Sequence, residues 1–60
     1  MKIYAIKKNG KYVKDFSNGT EFVNLSNWRA VEKIMDKKAA IRIAQEYGRK
    51  NGSGYEVVEL

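Results

Sequence analysis

The side chains that could do chemistry in this chain are few, and their types narrow the field at once. The sequence has no His and no Cys. The side chain most used as a general base and the most nucleophilic one are therefore both absent. The same absence removes the commonest zinc ligands and excludes disulfides. A general base or nucleophile would have to come from Asp, Glu, Ser, Lys or Tyr; the acids are Asp15, Glu21, Glu32, Asp36, Glu46, Glu56 and Glu59, and no pair among them has the spacing of a carboxylate dyad or a metal site. A chain of 60 residues is also expected to lack room for a pocket of ~300 Å³ or more. The expectation is a protein with no catalytic residue, no metal and no cofactor. The glycine-rich stretch GRKNGSG, residues 48–54, lacks the spacing of a phosphate-binding loop and follows a helix instead of opening one. It reads as a connection back to the last strand.

Two sets of residues remain for binding. Lys38, Arg42 and Arg49, with Gln45, fall within a narrow arc of the main helix. Such a ridge could contact phosphates, so the three cations are candidate nucleic-acid contacts; a solvated helix face has the same pattern. Tyr4, Ile6, Val13 and Phe22 share one face of the expected sheet. A sheet covered by a single helix should be polar on its far side. A contiguous apolar set there is a candidate protein interface, unless residues 26–35 fold over it. The net charge of +5 and the isoelectric point near 9.6 favour anionic partners without choosing between nucleic acid and an acidic protein surface.

The elements that must position these residues can be read from turns and periodicity. Asn9-Gly10 and Asn18-Gly19 suit type I′ turns, whose central residues both need positive φ. They separate the strand-rich runs KIYAIKK, KYVKDF and TEFVNL, which gives a three-stranded antiparallel meander over about residues 2–25. With two-residue loops, Lys8 lies opposite Lys11, Ile6 opposite Val13, Ile3 opposite Phe16, Ser17 opposite Thr20, Lys14 opposite Val23 and Tyr12 opposite Leu25. Ile3, Ala5, Tyr12, Phe16, Val23 and Leu25 then share a face, which is the expected core side.

As one straight helix, residues 28–50 would carry two apolar stripes pointing nearly opposite ways. One stripe is Trp28, Val31, Ile34 and Met35; the other is Ala40, Ile43, Ala44 and Tyr47. The chain must break between them, and Asp36 suits the break because its carboxylate accepts hydrogen bonds from a helix start. The main helix is expected from about Lys37 to Gly48 or to Asn51-Gly52. Residues 27–35 read as either a short helix or a short strand, with Trp28 packed on the sheet edge or under the main helix. The tail GYEVVEL reads as a final strand beside the first. The expected fold class is α+β: one domain over residues 1–60, its three-stranded N-terminal meander and C-terminal strand forming a small antiparallel sheet packed on one principal α-helix.

The order YAIKKNGKYVKDF, then Trp28, then DKKAAIRIAQEYG, then EVVEL resembles short proteins of Gram-positive phages and mobile elements. In these an Asp/Thr-Lys-Lys/Glu-x-Ala helix start precedes a Gly and a Val-rich strand. The resemblance covers most of the chain through unspecific motifs, and that group has no common activity to carry over. Residues 3–50 are also similar in arrangement to the arm-binding N-terminal domain of phage integrases, which reads DNA with its sheet.

These readings lead to two expected functions. The first is a small non-enzymatic protein-binding module, with a phage-encoded modulator or inhibitor of a bacterial host factor as what the resemblance implies. Its partner would be another protein or a second copy of the chain. The alternative is a nucleic-acid-binding domain using the basic helix ridge or the sheet face. No signal peptide or apolar stretch of membrane-spanning length is present, so no membrane association is expected, and the expected location is the cytoplasm of a bacterial host cell.

Overall fold

The computed structural model describes all 60 residues. Strands β1 (Tyr4–Lys8), β2 (Lys11–Val13) and β3 (Phe22–Val23) are followed by a 3-10 segment (Leu25–Ala30), helix α1 (Lys37–Asn51) and strand β4 (Glu56–Glu59). The sheet has the order β3-β2-β1-β4, and all its pairs are antiparallel. The α+β class, the meander, the pairing of the last strand with the first and the single covering helix are therefore as expected.

Helix α1 begins where its first turn is capped. The Asp36 carboxylate accepts from the Ala39 N–H at 3.0 Å, an interaction that typically contributes about 1 kcal/mol. At the other end Gly52, at φ 96°, donates its N–H to the Gly48 carbonyl at 3.0 Å. Ala40, Ala44 and Tyr47 are the buried helix residues. They meet Tyr4, Ile6, Val13 and Ile34 to form the core, with Phe22, Ala39, Ile43, Tyr55 and Val57 packed against it.

This reverses the expected faces of the sheet. Tyr4, Ile6, Val13 and Phe22 are not an open protein interface; they lie in or against the core beneath α1. Neither is the covering element residues 26–35 alone: the helix does most of it. The reason lies at the second turn. Asn18-Gly19 has the expected positive φ at both residues, 57° and 82°, and Thr20 donates its N–H to the Ser17 carbonyl at 3.1 Å. Asp15 and Phe16, however, are looped out, so that Lys14 N–H reaches the Glu21 carbonyl at 2.9 Å. Tyr12 pairs with Val23, and Val13 with Phe22, a slip of two residues from the expected register. A two-residue slip leaves each side chain on its face. It removes Phe16 from the ladder, and the chain turns into the 3-10 segment at Leu25, so the expected core face loses two of its large members. The other face gains Ile34, Tyr55 and Val57.

Residues 25–35 form neither a single helix nor a regular strand. Two short 3-10 turns meet at Asn27, where φ −95° and ψ 56° are non-helical. Val31 then bridges to Lys14, and Ile34 to Tyr4. The segment fills the gap where β1 and β2 part, with Glu32 N–H bonded to the Val13 carbonyl at 3.0 Å and Tyr4 N–H to that of Ile34 at 2.8 Å. No helix is long and apolar enough to cross a membrane.

Candidate functional site

Two regions present side chains that the fold leaves uncovered. The first is the end of the molecule built by the Asp15–Phe16 bulge and the 3-10 segment. Phe16 is 96% exposed and sits at φ 59°, a left-handed conformation that costs an L-residue roughly 1–2 kcal/mol. Its neighbours hold it there. Asp15 donates its N–H to the Ala30 carbonyl at 2.8 Å, and Ser17 Oγ donates to the Lys14 carbonyl at 2.6 Å. The bond to Ala30 places Phe16 at the same end as Leu25 and Trp28, which are also exposed.

Trp28 is 41% exposed and is not among the residues of the core beneath α1 or those packed against it. The Lys33 ammonium stands 4.5 Å from its ring centroid. The same ammonium donates to the Trp28 carbonyl at 2.6 Å and the Val31 carbonyl at 3.0 Å. One face of the indole is thus occupied by a cation, and that cation is itself committed to two carbonyls.

The second region lies between α1 and β4. A cleft of about 430 Å³ is lined by Ile41, Ala44, Gln45 and Gly48 from the helix side. Ser53, Gly54, Tyr55 and Val57 complete it from the returning chain. The expectation that so short a chain could hold no such space is therefore wrong: the space is an open trough at the edge of the sheet, and needs no thick core around it. Its lining carries no carboxylate, and Tyr55 commits its hydroxyl to the Gly19 carbonyl at 2.6 Å. No cluster of three or more side chains suited to a metal is present.

The basic ridge runs beside this cleft. Lys38, Arg42 and Arg49 are all exposed, as the helical spacing requires. Their electrostatics differ. Arg49 is paired with Glu46, which Lys50 also approaches at 3.7 Å. The Arg49 hydrogen bond, aided by the charges of Arg49 and Lys50, holds the Glu46 carboxyl below its ordinary pKa range. Lys38 and Arg42 have no carboxylate partner, so the free positive charge is concentrated at the N-terminal half of the helix. Lys14, near the aromatic end, is also paired, with Glu21 at 3.5 Å.

One titratable group is strongly perturbed. Burial pushes the Tyr47 phenol well above its ordinary pKa, reinforced by its hydrogen bond to Glu32 Oε1 at 2.7 Å. The bond ties α1 to the segment after the 3-10 turns. Asp15 and Tyr55 are also near enough to push the shift the same way, and the bond reads as a structural clasp.

No family model, curated protein or solved structure matches the chain.

Of the residues singled out from sequence, the structure brings Tyr4, Ile6, Val13 and Phe22 together inside the molecule, and Lys38, Arg42 and Arg49 on its surface. It adds Phe16 and Ile41. Ile41 had a signal, since it stands off the Ala40/Ile43/Ala44/Tyr47 stripe. Phe16 had none, because alternation alone assigns it to the core face.

Proposed function

We propose that this protein is a small non-enzymatic protein-binding module whose partner docks on the aromatic end. The observation that carries the reading is Phe16, a large apolar side chain left 96% exposed on a left-handed backbone anchored from both sides. Strain held in place by its surroundings marks binding and switch sites. The backbone that carries the ring is already ordered, so association has only the side-chain rotation left to fix. Trp28, already fixed by Lys33, is the second anchor; aromatic anchors of this kind dominate interface energies. The resemblance to phage and mobile-element proteins supports a partner among bacterial host factors and hence a cytoplasmic setting. The nucleic-acid reading has less behind it, because Arg49 and Lys14 are ion-paired and Lys33 covers one stacking face of Trp28.

The test is capture of a partner from a bacterial lysate, with and without nuclease, followed by reconstitution from purified components. Phe16→Gly is the informative variant. It removes the side chain and relieves the left-handed strain, so thermal stability should hold or rise by about 1 kcal/mol. Binding should nevertheless fall at least tenfold, as for loss of an interface anchor. Retention of full affinity by Phe16→Gly and by Trp28→Ala would reject this end as the docking surface. A complex destroyed by nuclease, whose nucleic acid binds the purified protein at about 150 mM salt and is released by Arg42→Glu, would establish the nucleic-acid reading in its place.

A further inference from the structure

The aromatic end leaves the trough between α1 and β4 without a role. We propose that this trough, together with the free edge of β4, takes an extended acidic peptide segment added as a fifth strand. The inference does not depend on the docking of a partner at Phe16.

The edge provides the backbone half of the site. β4 is the last strand of the sheet. Leu60 donates its N–H to the Ile3 carbonyl at 2.8 Å, and Val58 and Glu56 are in register with Ala5 and Lys7. In an antiparallel ladder the hydrogen-bonding direction alternates along the strand. The N–H and C=O groups of Tyr55, Val57 and Glu59 therefore point away from β1, where no strand meets them. An extended peptide can satisfy them, which is the common chemistry of strand addition at a sheet edge.

The trough provides the side-chain half. Val57 is in register with Ile6 and so projects to the helix side of the sheet, into the same trough as Ile41, 41% exposed, and Gly48. A Cβ placed on Gly48 would meet nothing within 4 Å, so the trough is open above it. Alternate side chains of an added strand would enter this space, and an apolar one fits its lining.

Charge selects the occupant. Lys38 and Arg42 flank Ile41 along the helix and have no carboxylate partner. Carboxylates two residues to either side of the apolar group share its side of the added strand and face this rim; the one toward the C-terminus of β4 also meets Glu59, which is in register with Tyr4 on the helix side and has Lys2 at 4.0 Å. On the opposite side the added strand runs beside Glu56, whose partner on β1 is Lys7, and neutral or basic residues suit it there. A second copy of the chain is the poorer occupant. Pairing β4 with itself about a two-fold axis would set two helices side by side with their cationic rims facing, each on a chain of net charge +5, a like-charge juxtaposition that opposes association.

The probe is a synthetic peptide, acetylated and amidated, of sequence Gly-Asp-Thr-Val-Thr-Asp-Gly. It is titrated to about 1 mM into the isotopically labelled protein at about 150 mM salt, with amide shifts and hydrogen exchange as readouts. The expected result is saturable shifts at Ile41, Gly48, Val57 and Glu59, with slowed exchange at the Val57 and Glu59 amides. The peptide with both Asp replaced by Lys should not bind. Arg42→Glu should weaken the acidic peptide about fivefold, the effect of turning one exposed ion pair into a repulsion. Gly48→Leu should fill the trough and abolish binding while leaving the helix at least as stable. Should that variant unfold, the Arg42→Glu and Lys-peptide results decide alone. Absence of saturable shifts, shifts confined to other residues, or equal binding of the two peptides would overturn the proposal. So would an oligothymidylate that binds the same residues more tightly than the acidic peptide. Because Phe16→Gly leaves this trough intact, its effect on partner binding and the peptide titration report on separate surfaces.

Discussion

The two faces of the sheet are built from similar residues and have opposite fates. One carries Tyr4, Ile6, Val13 and Phe22 and lies under α1. The other carries Ile3, Tyr12, Val23 and Val58, all half-buried, with Ala5 inaccessible among them. Counting apolar side chains does not separate them. What separates them is what each face receives from elsewhere in the chain. The covered face receives the small residues Ala40 and Ala44, which let the helix approach, and Tyr47, Tyr55 and Ile34 around them. The open face receives no helix; Val31, buried outside the core under α1, bridges to Lys14 at its edge, and the Lys7 ammonium stands 5.7 Å from the Tyr12 ring. Burial here is decided by the partner that arrives, and the hydrophobicity of a strand face alone does not predict it.

The largest effect should come from setting the faces directly against each other. Ile6 is fully inaccessible, and Ile6→Ala should cost about 2–5 kcal/mol. A core of this size supplies roughly 3–5 kcal/mol in total, so the variant should be substantially unfolded at room temperature. Tyr12→Ala, on the open face, should cost less than about 1.5 kcal/mol. Urea denaturation followed by circular dichroism measures both, and equal losses would dissolve the distinction between the faces.

The two Asn-Gly turns sharpen the same contrast at a smaller scale. Both glycines have φ near +80°, but a Cβ on Gly10 would meet nothing within 4 Å, whereas one on Gly19 would come within 2.6 Å of Tyr47 Cγ. Gly10→Ala should therefore cost about 1 kcal/mol, for its backbone alone. Gly19→Ala should cost about 1–3 kcal/mol more, because the ring behind it belongs to the covered face and must move. Thermal melts of the pair would show whether the second turn is docked on the helix as described.

The smallest effect is a pH dependence confined to the covered face. Tyr47 has a raised pKa in the folded protein, so the native state holds that proton more tightly than the unfolded chain. Its contribution to stability is complete below the ordinary tyrosine pKa of about 10 and is lost progressively as pH rises above it. Denaturant midpoints should fall above that pH in the parent and fall less in Tyr47→Phe. The same alkaline loss in both proteins would remove Tyr47 as its source.

Much of the fold is legible without coordinates because it rests on local chemistry. Asn9-Gly10 and Asn18-Gly19 adopt positive φ because few other dipeptides do so at low cost. Asp36 starts the helix because a carboxylate there satisfies an orphan amide. The opposition of two apolar stripes forces a break before α1 wherever the rest of the chain lies. The basic ridge is exposed because its spacing is helical and opposite the buried stripe. Local pattern is silent on the looping-out of Asp15 and Phe16, since their alternation fits an unbroken strand equally well. That bulge depends on Asp15 bonding to Ala30 and on Ser17 bonding to Lys14, and the Ala30 partner arrives from a distant part of the chain. The same holds for residues 31–34, whose ladder partners are Lys14 and Tyr4, and for the trough, which exists only once β4 lies beside α1. Turn types, the helix start and the charged ridge follow from the sequence by itself, because each is settled within a few bonded neighbours. Which sheet face is covered, which aromatic is left outside and where a cleft opens were decided by tertiary structure, because each depends on groups far apart in the chain competing for the same space.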